Sequence, residues 1–84
     1  MKVVFSSRAW EDYLWWQAQD RRMPRRINTL IADIDRNGNE GIGKPELLKY
    51  LQGYWSRRLN DEHRLVYKLS EDEVHIAACR YQYE

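Results

Sequence analysis

The sequence of 84 residues has one cysteine, two prolines and four glycines. Cys79, as the sole thiol, excludes an intramolecular disulfide framework. A chain this short sits near the lower size limit for a core, so without such staples side-chain packing must supply the stability. A lone thiol in an apolar run reads as a small core residue and fits a reducing compartment. No apolar run approaches the roughly 20 residues of a membrane span. The opening stretch MKVVFSSRAWEDYLWW meets charge at Arg8 and has no signal-peptide core, so a cytoplasmic protein without a membrane segment is expected. An excess of one charge is lacking too: the formal net charge is +1, which excludes a polycation acting through bulk charge.

Because glycine and proline are scarce, their clustering marks where the chain is interrupted. Three glycines and one proline fall within NGNEGIGKPE, residues 37–46, the one substantial loop expected. Before it, KVVFS (2–6) is a short β-branched strand, and Ser6 or Ser7 can cap a helix through SRAWEDYLWWQAQD. Trp10, Tyr13, Leu14 and Gln17 or Ala18 recur at helical spacing and predict one buried stripe. After a DRRM connection, Pro24 suits the first turn of a second helix, in which Ile27, Leu30, Ile31 and Ile34 form an unbroken apolar face. Asn37-Gly38 ends that helix. Beyond the loop, YWSRRL, HRLVYKL and EVHIAACRYQY are strand-like, separated by the hairpin turns NDE and SED.

The expected order is βααβββ, a single α+β domain over residues 1–84. Two helices on one face of a curved, mostly antiparallel sheet would leave the other face free for a ligand. Four tryptophans suggest stacking platforms for bases, but in so small a domain aromatics at helical spacing more often fill the core. Trp10 is therefore expected inside, with Trp15 and Trp16 unassigned. Arg21, Arg22, Arg25 and Arg26 cluster beside a helix start, and Arg57-Arg58 form a second basic pair. Such patches either bind phosphate or are solvated faces balanced by acids elsewhere.

The stretches GIGKPE (41–46), GYWSRRL (53–59), EHRLVY (62–67) and CRYQY (79–83), with WEDYLWWQ near the start, resemble the YoeB/Txe toxins. These belong to the RelE-like toxins of bacterial toxin–antitoxin systems, and the resemblance covers essentially the whole chain. It implies a RelE/ParE-like (microbial-ribonuclease-like) fold and a ribosome-dependent messenger RNA endonuclease silenced by a YefM-like antitoxin, with a homodimer also implied. The family's catalytic glutamate after Lys-Pro falls on Glu46, its two arginines on Arg64 and Arg58, and its terminal tyrosine on Tyr83. Four departures stand out. Leu47 replaces a usual proline, the link to the Trp-Ser-Arg-Arg strand is one residue shorter, and Gln82 occupies the place of the family's histidine, with Glu84 beyond the usual end.

RNA is cut without a metal or other cofactor when its own 2′-hydroxyl attacks the adjacent phosphate. That needs a base, cationic support for the phosphate and an acid for the leaving oxygen. Glu46 is the expected base, with Lys44 or Lys49 nearby. Arg64 and, less directly, Arg58 would grip phosphate oxygens, since a guanidinium stays charged and reaches two oxygens at once. Arg57 alternates to the opposite strand face and reads as a scaffold or a ribosomal RNA contact. A glutamine amide donates no proton, so Gln82 can only position substrate. Tyr83, Tyr81, His63 and Glu84 are the substitutes, Tyr83 foremost, whereas His63 is expected on the opposite strand face and His75 is read as structural. The expected activity is a slowed nuclease. Two rivals are a ParE-like gyrase inhibitor and an inactive toxin homologue acting through antitoxin binding.

Overall fold

The computed structural model describes residues 1–81. Its elements are β1 (Lys2–Phe5), α1 (Ser7–Gln19), α2 (Arg22–Asn37), β2 (Glu46–Leu47), β3 (Trp55–Arg58), β4 (Arg64–Ser70) and β5 (Glu73–Ala78). The strands form one sheet in the order β1-β5-β4-β3-β2, parallel only where β1 meets β5. The helices pack on one face, as the order of elements led one to expect. The difference is β2, a two-residue edge strand where a loop was expected. Glu46 pairs with Ser56 and Leu47 with Trp55.

Helix α1 starts where Ser6 accepts the Ala9 N–H at 3.0 Å. Its buried face is not the expected stripe. Ala9, Asp12 and Trp16 are buried, whereas Trp10 and Leu14 are 49% and 44% exposed. The cause lies at the far end of the chain: Asp12 accepts the Cys79 N–H at 3.0 Å, and the Trp16 indole donates to the Cys79 carbonyl at 2.8 Å. Those two bonds fix the rotation of the helix. Trp10 consequently lies at the edge, stacked on Tyr13 with ring centroids 5.8 Å apart.

The connection to α2 is shorter than DRRM, because the Asp20 carboxylate accepts the Arg22 N–H at 3.1 Å and draws Arg22 into the helix. Ile27, Leu30 and Ile34 are fully buried, as their spacing predicts, and Ile31 is half-buried. They pack with Leu65, Tyr67, Val74 and Ile76 in one core between helices and sheet. Cys79 is buried there too. No helix among the described residues is long and apolar enough to cross a membrane.

Candidate active site

The strand register assembles the sheet face turned away from the helices. Glu46, Ser56, Val66 and Ala78 occupy one row across β2, β3, β4 and β5. Two residues along β3 from Ser56, Arg58 stands directly opposite Arg64 on β4. Side chains two apart on a strand share a face, so both arginines lie on the side of Glu46. Glu46 and Arg58 are diagonal neighbours on adjacent strands, about 7–8 Å apart, and Arg64 lies one strand further on.

Two guanidinium groups placed face to face repel one another, and like-charged cross-strand pairs destabilise a sheet. Neither Arg58 nor Arg64 has an ion pair among the described residues, and both are half-buried. The Arg64 Nη1 and Ser56 Oγ atoms are buried with no hydrogen-bond partner there. Buried donors are ordinarily satisfied, and exceptions concentrate where a ligand or a reaction supplies the missing partner. Glu46 is exposed at the sheet edge. Lys44 and Lys49 are exposed on either side of it, and neither forms an ion pair with it among the described residues.

Arg57 points the other way, and its reading as an RNA contact needs correcting. It is fully buried. It pairs with Asp33 on α2 and receives further support from the Tyr67 hydroxyl at 3.3 Å. It also donates to the carbonyls of Gly38, Glu40 and Ile42 at 2.6, 2.8 and 3.1 Å. A guanidinium with every side occupied has no donor left for a phosphate, so Arg57 is a scaffold. It gathers the loop that delivers Glu46. Hydrogen bonding from Arg57 is the main reason that the Asp33 carboxyl lies below the ordinary carboxylate range. Burial, opposed by the Arg57 contact, pushes the Tyr67 phenol up.

The four-arginine cluster divides. Arg22 is held by Asp20 through two guanidinium bonds of 3.0 Å, and Arg26 donates to the Arg58 carbonyl at 3.1 Å. Arg21 and Arg25 remain exposed and line a polar groove with Tyr13, Gln17, Pro24 and Asn28. The expectations for Gln82, Tyr83 and Glu84 lie outside the described residues.

Two further residues stand at this end of the sheet. The Arg80 guanidinium lies 3.5 Å from the centre of the Trp15 ring and 4.6 Å from that of Tyr81, with Nε buried and unpartnered among the described residues. His63 packs edge-on against Trp16 of α1 and lies beside Tyr81. Arg80 carried no signal beyond its place in the CRYQY stretch, and His63 precedes β4, where alternation says nothing.

Residues 5–83 match the family model for the YoeB-like toxin of bacterial type II toxin–antitoxin systems. Toxin YoeB of Escherichia coli strain K12 is 54% identical over 84 residues, 99% of this chain and 100% of the relative. The YoeB dimer of Staphylococcus aureus superposes with a TM-score of 0.92 at 49% identity, over 99% of this chain and 98% of that one. The YoeB chain of a heterotetrameric YoeB–YefM complex from the same organism does so with a TM-score of 0.90 at 50% identity and the same coverage. Family model, full-length identity and shared fold agree: the chain belongs to the YoeB-like toxins of bacterial type II toxin–antitoxin systems.

Proposed function

We propose that this toxin acts as an endoribonuclease that cuts messenger RNA on the bacterial ribosome and so stops translation in the cytoplasm. The observation that carries the reading is the Arg58–Arg64 pair, two facing cations on the same sheet face as Glu46. Such a pair is costly to the free protein and useful to one that receives a phosphate.

Glu46 takes the proton of the ribose 2′-hydroxyl, and the resulting oxygen attacks phosphorus. The bond from phosphorus to the 5′-oxygen breaks, leaving a 2′,3′-cyclic phosphate and a 5′-hydroxyl. Arg64 and Arg58 offset the charge that accumulates on the phosphate oxygens, where one such donor is typically worth about 10²–10³ in rate. The leaving oxygen needs a proton that Gln82 cannot give. Tyr83 stacks on the substrate or donates toward it, while Gln82 hydrogen-bonds phosphate or base. Lost general-acid catalysis costs about 10²–10⁴, so the enzyme is attenuated. Lys44 and Lys49 flank the RNA path, and Arg21 and Arg25 meet ribosomal phosphates, with Arg22 and Arg26 adding charge to that side.

The S. aureus relative forms a heterotetramer with YefM, which supports a YefM-like antitoxin that covers these arginines, and its dimer supports self-association. The family match favours a nuclease over a gyrase inhibitor. Gln82 alone favours an inactive, antitoxin-binding homologue. Single-turnover cleavage on programmed ribosomes across pH, with and without Gln82→His, separates the two. A faster variant with a new acid–base limb marks an attenuated nuclease, whereas cleavage by the variant alone marks an inactive homologue.

A further inference from the structure

The chain leading into Gln82 and Tyr83 is gripped from two sides. From α1, Asp12 and Trp16 hold the backbone of Cys79, and Trp15 stacks on Arg80. From the start of β4, the Arg64 N–H donates to the Tyr81 carbonyl at 3.1 Å. His63 completes the grip, its Nδ1 lying 2.8 Å from the Tyr81 nitrogen. A backbone N–H only donates, so Nδ1 is the acceptor and the ring proton resides on Nε2.

The imidazole is itself tightly placed. Trp16 meets it edge-on, with ring centroids 4.8 Å apart and planes at 88°, and the Tyr81 ring lies 5.7 Å away on a tilt. Its turn is fixed by Asn60, whose side-chain oxygen accepts the N–H groups of Glu62 and His63 at 2.9 and 2.8 Å. Tyr81 has a φ of +71°, a left-handed conformation that residues other than glycine seldom adopt. Such backbone persists only where its surroundings over-determine it. His63 and Arg64 bind the N–H and carbonyl of that residue.

We propose that His63 is a positioning residue, which holds Tyr81 in its left-handed conformation and, through the Tyr81 carbonyl, the backbone of Arg64. Its consequence for catalysis rests on the nuclease reading; the backbone clamp does not. Two variants divide the ring from the acceptor. His63→Phe keeps the aromatic contact with Trp16 and loses the acceptor. His63→Asn loses the ring and keeps an oxygen near the place of Nδ1.

The test pairs single-turnover cleavage on programmed ribosomes with amide hydrogen exchange at Tyr81. His63→Phe is expected to slow cleavage at saturating ribosomes by about 10²-fold, the scale of a 1 Å misplacement, without changing half-saturation. The Tyr81 amide should then exchange faster, and His63→Asn should recover most of both properties. Native cleavage and native Tyr81 protection in His63→Phe would overturn the proposal. Equal losses in both variants would also overturn it, by assigning the effect to ring packing. A chain that cuts nothing yet shows the expected order of Tyr81 protection supports the clamp and refutes the nuclease reading instead.

Discussion

Arg57 and Asp33 meet between β3 and α2, the guanidinium wholly buried and the carboxylate side chain 13% exposed. The loop from Gly38 to Ile42 wraps around that guanidinium with three carbonyls. A side chain at Gly41, where φ is +126°, would collide with the Asp33 carboxylate. The Gly43 carbonyl then accepts the Arg58 N–H at 2.7 Å, and Glu46 enters the sheet three residues later. Carbonyls left unpaired in this partly buried loop cost up to about 1–3 kcal/mol each. Arg57→Ala should therefore lower the unfolding free energy by several kcal/mol in urea titration. Arg57→Lys should rescue it poorly, since an ammonium cannot reproduce the planar fork.

The same pair predicts an acid-sensitive component of stability. The Asp33 carboxyl lies below its ordinary value of 3.8, chiefly through its hydrogen bond from Arg57. Its contribution is therefore present above the unfolded value and is lost as pH falls through the lower folded one. Native protein should lose stability as pH drops below about 4. Asp33→Asn should be less stable at neutral pH, and its stability should fall less over that acid range.

Arg64 separates stability from activity. Replacing it with Gln relieves the repulsion from Arg58, so thermal stability should hold or rise slightly, on the order of 0.2–1 kcal/mol. Cleavage should fall by about 10²–10³. Parallel losses in both would mark Arg64 as a packing residue instead.

Cys79 should be inert in the folded protein. Burial foremost, and then the Asp12 carboxylate, push its thiol up to about 12. Roughly 10⁻⁴ of it would be thiolate at pH 8, and the thiolate is the reactive form. Labelling by a thiol reagent should follow global unfolding, with rates that rise in urea in step with the loss of structure.

The fold was legible where a local period reports burial. In α2, Ile27, Leu30 and Ile34 repeat on one face and are buried there. In α1 the period misled, because Asp12 and Trp16 bind Cys79, 67 and 63 residues away, and those bonds determine which face turns inward. Glu46 was singled out by its motif but not as a strand residue, since two residues display no alternation. Alternation did place Arg57 and Arg58 on opposite faces. It could not show that Arg57 is buried, because a charged side chain ordinarily reads as solvent-facing and the carbonyls around it leave no mark in composition.

The nuclease reading stands or falls on Glu46. Single-turnover cleavage of messenger RNA on programmed ribosomes should be measured for the native chain and Glu46→Gln, with binding to the ribosome measured in parallel. The native chain is expected to cut, and the variant to bind equally while cutting about 10²–10⁴ more slowly. Cleavage by Glu46→Gln at the native rate would show that the reaction does not use this carboxylate, and the proposed mechanism would fail.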